Sequence, residues 1–255
     1  MPERMVTRGV VLRRTETKEA DYILTVLTAE LGRLTVIARG ARRAKSRLTA
    51  ACELFAFSEL VLYRRGEWTY LDEATTVSLF DGVRRDVERL ALASYLAELT
   101  ESVTAEDLPG GEALTLLLNM LYALDALPDR DPELIRAVFE LRLLARVGYE
   151  PLLSACAVCG KTAPPGPLFD AREGVVLCSA CAGDAKRELL PLDPGSLAAM
   201  RHVTLCEGKR LLSFRLAGES MRRFSRACER FTAAQLDRRF RTLDFYKSLK
   251  TDNDA

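Results

Sequence analysis

Two short cysteine knuckles constrain this chain more than any other feature: Cys156-Ala157-Val158-Cys159, then eighteen residues, then Cys178-Ser179-Ala180-Cys181. Pairs of C-x-x-C separated by about 15–20 residues match a four-cysteine zinc site, in which each knuckle supplies two thiolates and the loop between them closes the tetrahedron. The intervening segment carries Pro164, Pro165, Gly166 and Pro167, then Gly174 before Val175-Val176-Leu177, which reads as a turn followed by a short strand that delivers the second knuckle. This is the layout of a zinc ribbon. Four cysteines fill the tetrahedron and leave no position for an activated water, so one structural zinc is the expectation. A redox dithiol pair, cysteines that merely pack, and an iron centre in the same ligand set are the competing readings.

The remaining cysteines, Cys52, Cys206 and Cys228, are scattered along the 255 residues and make no disulfide framework, which points to a reducing compartment, the cytoplasm. Met1-Pro2-Glu3-Arg4 lacks the apolar core of an export signal. The longest uncharged run, Ala113 to Leu124, falls short of the ~18–20 residues that span a bilayer. A soluble protein with no membrane partner is expected.

Net charge is +1, but it is unevenly distributed. Residues 1–50 hold eleven Lys/Arg against five Asp/Glu and residues 201–250 hold thirteen against five, while residues 51–200 hold thirteen against twenty-four. Two basic ends around an acidic middle suggest a footprint for a polyanion, against the bland reading of ordinary solvated faces.

From Met5 to about Thr76 the apolar pattern has strand character over Val6–Leu12, Tyr22–Leu27, Leu34–Ala38, Leu54–Tyr63, Trp68–Leu71 and Ala74–Val77. Glu30-Leu31-Gly32 and Arg65-Gly66-Glu67 supply turns. So many short strands with no crossover helix favour a small closed barrel of the OB type over an open meander or an SH3-like barrel. Between the third and fourth strands lies Arg39-Gly40-Ala41-Arg42-Arg43-Ala44-Lys45-Ser46-Arg47, five cations in nine residues with no acid. A flexible loop of this kind suits a phosphate backbone, because each Lys or Arg that neutralises a phosphate releases a counterion. Tyr63, Trp68 and Tyr70 are candidates for base stacking, with packing as the plainer explanation of each.

Beyond Phe80 the period lengthens to that of amphipathic helices. Leu92, Leu96, Leu99 and Val103 share one face, and Leu134, Val138, Leu141 and Ala145 another. Asp131-Pro132-Glu133 predicts a capped helix start, Gly148 a stop, Asp193-Pro194 the start of a helix through Met200, and Gly218-Glu219-Ser220 one reaching about Phe240. In that last helix Met221, Phe224, Cys228 and Phe231 form a core stripe. Arg222, Arg226 and Arg230 step by four on another face beside Arg223, as a solvated face or a second phosphate track.

The chain has neither G-x-x-x-x-G-K-[ST] nor H-E-x-x-H. Its one histidine, His202, is a poor basis for a nucleophilic triad and reads as a helix-end or core residue. No acidic cluster has a spacing suited to two catalytic metal ions. These are the parts of a binder, not an enzyme.

Gly32-Arg33-Leu34-Thr35-Val36-Ile37-Ala38-Arg39-Gly40-Ala41-Arg42-Arg43, with Lys45-Ser46 and Leu54-Phe55 after it, resembles the signature of the RecO family of bacterial recombination mediators. Val10-Val11-Leu12, Thr17-Lys18-Glu19-Ala20-Asp21 and Leu141-Arg142-Leu143-Leu144-Ala145-Arg146-Val147-Gly148-Tyr149, leading into Cys156-Ala157-Val158-Cys159-Gly160, are similar to it as well and follow the family's order. The resemblance implies a role in the RecF pathway of DNA repair. Such a protein binds single- and double-stranded DNA, anneals complementary strands, pairs with RecR, and helps RecA replace single-stranded DNA-binding protein, in a nucleoid-associated cytoplasmic setting.

The expected architecture is a multi-domain α+β chain. It comprises an OB barrel over 1–80, a helical bundle built from 81–150 and 185–245, a zinc-ribbon insertion over 151–184, and a disordered tail over 246–255. The expected site residues are Cys156, Cys159, Cys178 and Cys181 for zinc, and Arg39, Arg42, Arg43, Lys45, Arg47, Arg222, Arg223 and Arg226 for DNA. The alternatives are a zinc-stabilised helical adaptor that binds only protein, and a metal-dependent nuclease.

Overall fold

A computed structural model describes residues 4–106, 108–183 and 188–253. The chain divides into two compact units, one of residues 1–127 with 240–255 and one of residues 128–239.

The first unit is built on a closed five-stranded barrel of β1 (Arg4–Thr17), β2 (Asp21–Thr28), β3 (Arg33–Ala38), β4 (Phe57–Arg65) and β5 (Trp68–Ser78), in the order β1-β2-β3-β5-β4. β4 pairs antiparallel with β1 to close the ring, and β3 meets β5 in parallel at Val36↔Thr69 and Ile37↔Tyr70. Closure removes the exposed edges that a small sheet would otherwise present. Period-two alternation sends Val11, Leu24, Val26, Leu34, Val36, Leu60, Leu62 and Leu71 into one interior. The two apolar runs expected at Trp68–Leu71 and Ala74–Val77 are a single strand, which stays continuous through a register shift opposite Val61/Leu62. Leu54 to Ala56 lie outside β4, after a 3-10 turn at Ala50–Cys52.

Gly32, at φ +67°, makes the β2–β3 turn; a Cβ there would fall 2.3 Å from the Leu108 carbonyl oxygen. The same unit holds α1 (Asp81–Arg84), α2 (Val87–Val103), α3 (Gly111–Ala126) and α7 (Arg241–Asn253). Asp86 caps α2 by accepting from the backbone of Glu88 and Arg89. α7 packs along α2: Phe240 meets Tyr95 edge-on at 5.5 Å, Thr242 bonds Glu98, and Tyr246 is fully buried.

In the second unit α4 (Pro132–Arg146), α5 (Pro194–Leu205) and α6 (Gly218–Leu236) pack together beside a small sheet of β6 (Leu168–Asp170), β7 (Val175–Leu177) and β8 (Leu189–Pro191). The predicted caps form: Asp131 accepts from Glu133 N, and Asp193 and Ser196 make a reciprocal capping box. Met221, Phe224, Cys228 and Phe231 are buried, with Phe231 tilted against Phe169 of β6 at 5.7 Å. Arg142 donates to the carbonyls of Val203, Thr204 and Cys206, which satisfies acceptors that the end of α5 leaves unpaired.

The structure differs from the expected single bundle. α1–α3 belong with the barrel and α4–α6 with the ribbon, because the chain breaks at Leu127–Arg130 and α2 finds its partner in α7 instead of α4. The helix expected to run to about Phe240 ends at Leu236, where Asp237 turns left-handed at φ 45°, and residues 241–253 form a further helix in place of the expected tail. The expected boundary at 184/185 lies outside the described residues, as do the last two positions of that tail. Among the described residues no helix is long and apolar enough to cross a membrane.

Candidate nucleic-acid interface and metal centre

The basic segment leaves the barrel at the end of β3. Sequence reading treats it as a flexible loop, whereas the structure pins it with turns: Arg43 N donates to Gly40 O at 3.1 Å, Ser46 N to Arg43 O at 2.9 Å, and Thr49 Oγ1 to Ala41 O at 3.0 Å. Ala41 is buried in the barrel core with Leu48 packed against it, so the excursion is anchored by apolar contacts between its cations. Gly40 N donates to Asp21 Oδ1 at 2.8 Å and fixes the exit from β3.

The five cations have different fates. Arg39 lies over the Tyr70 ring, 4.4 Å from its centroid, and donates to the Tyr70 hydroxyl. Arg42 pairs with Glu16 at 2.7 Å and reaches the Glu19 carbonyl. Arg43, Lys45 and Arg47 are exposed and, among the described residues, form no ion pair. They present three charges to solvent with no carboxylate to balance them.

The arginines of α6 are placed otherwise. Arg222 and Arg223 share Glu219 at 2.5 and 3.0 Å, and Arg223 also reaches the Leu192 carbonyl and, at 3.8 Å, Asp193. Arg226 and Arg230 share Glu188 at 3.8 and 2.7 Å. Hydrogen bonds from Arg223 and Arg222 hold the Glu219 carboxyl below the usual carboxylate range, and one from Arg230 does the same for Glu188. Arg222, Arg226 and Arg230 are exposed and Arg223 is half-buried, and each has a carboxylate partner.

The four knuckle cysteines converge, with their Sγ atoms all within 4.8 Å of one another. The spacing of Cys159 and Cys178 is 3.8 Å. A tetrahedral ion with metal–sulfur bonds of about 2.3 Å requires ligand sulfurs roughly 3.8 Å apart, so the donor set fits such an ion. β7 delivers Cys178 as its next residue, and Ala157 N donates to Val176 O, which lays the first knuckle alongside the same strand. A 3-10 turn at Ser179–Cys181 folds the second knuckle back.

Backbone N–H groups of Cys159, Cys178 and Val158 aim at Cys156 Sγ and lower its pKa to about 6. Cys181 is pushed up to about 12, first by hydrogen bonding to the thiols of Cys178 and Cys159. A cation bound by the four sulfurs would favour the thiolate form of each. Among the described residues this is the only grouping of His, Cys, Asp and Glu able to hold a metal ion. His202 stands at the end of α5, its Nε2 donating to the Arg210 carbonyl at 2.9 Å with Phe214 edge-on at 5.1 Å.

Sequence reasoning missed one polar centre. Arg136, 1% exposed, is held by Glu133, Glu140, Ser225 and Glu229, which ties α4 to α6. The i, i+3 and i, i+4 spacing of Glu133, Arg136 and Glu140 was the available signal, but surface helices show the same spacing.

Residues 1–80 match the family described as Recombination protein O N terminal, and residues 84–244 that described as Recombination protein O C terminal. DNA repair protein RecO of Acetivibrio thermocellus is 32% identical over 243 residues, covering 95% of this chain and 96% of that one. The protein of the same name from Symbiobacterium thermophilum is 34% identical over 95% of this chain and 96% of its own length. That of Anaeromyxobacter dehalogenans is 42% identical over 78% of each. This chain belongs to the RecO family of DNA repair proteins.

Proposed function

We propose that the protein is a non-catalytic DNA-binding mediator whose barrel holds a phosphate backbone through Arg43, Lys45 and Arg47. The observation that carries this reading is the acid-free loop, anchored at Ala41 and Leu48, that leaves three exposed cations without a carboxylate partner among the described residues. Charges already balanced by carboxylates release few counterions when DNA arrives, so these three are the strongest contributors to affinity. Contacts of this kind position a strand without reading its bases, which suits a protein that must act on any single- or double-stranded sequence.

Annealing follows from the same physics. A cationic surface that screens two backbones lowers their repulsion and needs no energy source. Arg222, Arg223 and Arg226 are the second track in this reading, because exposed ion pairs are weak in water and a phosphate can replace a carboxylate partner. The family resemblance supports RecR, RecA and single-stranded DNA-binding protein as the partners with which the protein acts in the RecF pathway of the cytoplasm. Cys156, Cys159, Cys178 and Cys181 would hold one zinc ion, whose part is to fold the ribbon, since all four positions of the tetrahedron are taken.

Binding of single- and double-stranded oligonucleotides at several salt concentrations, with and without added magnesium, tests the reading. Binding that weakens with salt and leaves the DNA intact is expected. Cleavage in magnesium would favour a nuclease, and absence of DNA binding would favour a protein-only adaptor.

A further inference from the structure

We propose that Trp68, at the tip of the β4–β5 hairpin, is a stacking platform for an unpaired DNA base, so that the barrel distinguishes single strands from duplex. This rests on the reading that the barrel binds DNA and adds to it a contact that carries no charge.

Strand alternation sets the geometry. Leu71 enters the barrel core and Thr69 is buried, so Trp68 and Tyr70 project from the opposite, outer face of β5. Cross-strand pairing sets Trp68 against Arg65 and Tyr70 against Tyr63 of β4, with Ile37 of β3 paired to Tyr70 on its other side. On that face Tyr63 and Tyr70 are stacked at 5.2 Å with 16° between their planes, and the Arg39 guanidinium covers Tyr70. This arrangement occupies Tyr70, which is only 7% exposed, and makes it a rigid support.

Trp68 is different. It is 53% exposed and, among the described residues, has neither an aromatic nor a cationic partner on its ring. A single exposed apolar side chain is ordinary by itself. Its surroundings are not: Arg65, paired across from it, is exposed beside Glu67 of the turn, and Arg39, which opens the unpaired cationic loop, belongs to the same outer face through Tyr70. Gly66, at φ +64° with no atom within 4 Å of where a Cβ would stand, makes the hairpin tip narrow and open beside the indole.

A free π-face flanked by cations that track a backbone is the combination that holds a single strand. Duplex bases are already stacked on one another and offer no face to it. The β4–β5 loop is also one of the two loops with which OB barrels contact oligonucleotides.

Trp68 is the only tryptophan in the chain, so its fluorescence reports on this one position in the unaltered protein. Titration with oligo(dT) should quench it, while a duplex of equal length and a base-free deoxyribose-phosphate oligomer should bind without quenching. Trp68→Ala should bind oligo(dT) more weakly by about 5- to 150-fold, the range of one base–aromatic stack, with duplex affinity and the salt slope unchanged. Trp68→Phe should retain most of the affinity. Unquenched fluorescence with oligo(dT) bound, or full oligo(dT) affinity in a folded Trp68→Ala, would overturn the proposal. If the alanine variant fails to fold, the wild-type quenching and Trp68→Phe still decide it. Should Trp68→Ala bind normally while loss of Arg43, Lys45 and Arg47 weakens binding, the platform is wrong and the barrel reading stands; a wild-type protein that binds no DNA overturns both.

Discussion

Replacing Arg136 by methionine removes the cation at the centre of the second unit while keeping most of its volume. Arg136 is 1% exposed and Glu140 is fully buried, with Nη1 and Oε1 2.5 Å apart. Burial alone would lower the pKa of Arg136, but Glu140, Glu133 and Glu229 outweigh it and hold the guanidinium firmly charged. In the variant, Glu133 and Glu229, each about one quarter exposed, can turn to water, whereas Glu140 cannot. Breaking a buried pair on one side costs about 3–5 kcal/mol, a large share of the roughly 5–15 kcal/mol that holds a domain together. For a unit of this size the midpoint of thermal unfolding should fall by on the order of 10–20 °C. Adding Glu140→Leu should recover much of the loss, because replacing both charges by apolar groups of similar volume is often neutral. Urea unfolding followed by circular dichroism gives the comparison. A single variant within about 1 kcal/mol of wild type, or a double variant no more stable than the single, would refute this account of the network.

Three further outcomes are expected. Cys178→Ser should lose stoichiometric zinc and loosen the ribbon while the barrel stays folded, which metal analysis with hydrogen exchange would show. Tyr246→Ala should destabilise the barrel-containing unit by about 3–5 kcal/mol, as emptying a fully buried aromatic site usually does, measurable by urea unfolding. Reversing Arg222, Arg223 and Arg226 to glutamate should slow annealing of complementary strands by about tenfold or more while single-strand affinity changes less, read as initial rates at saturating protein; an unchanged rate would leave these arginines as a solvated face.

The features legible in the sequence are those carried by local chemistry. The knuckle spacing identified four sulfurs that the fold brings within 4.8 Å. Period-two alternation and the Gly32 and Gly66 turns identified a small barrel, and Asp131-Pro132 and Asp193-Pro194 both cap helices. What escaped depends on contacts between distant segments. Nothing near residue 246 shows that Tyr246 will fill a site against α2, so the last helix reads as a tail. The division of the helices between two units follows from α2 choosing α7, a pairing no periodicity encodes. Charge balance was also misleading by itself. Arg43 and Arg222 look alike in the sequence, but the first is exposed with no ion pair among the described residues and the second lies 2.5 Å from Glu219.

The central claim is that affinity for DNA comes from the unpaired cations of the barrel loop. The most direct test is the slope of log affinity against log salt concentration on a single-stranded oligonucleotide, for the wild type and for the Arg43→Ala, Lys45→Ala, Arg47→Ala triple variant. Loss of three phosphate contacts, at about 0.7 each on single strands, should make the slope shallower by about 2. An unchanged slope would place the DNA elsewhere on the molecule and contradict the account.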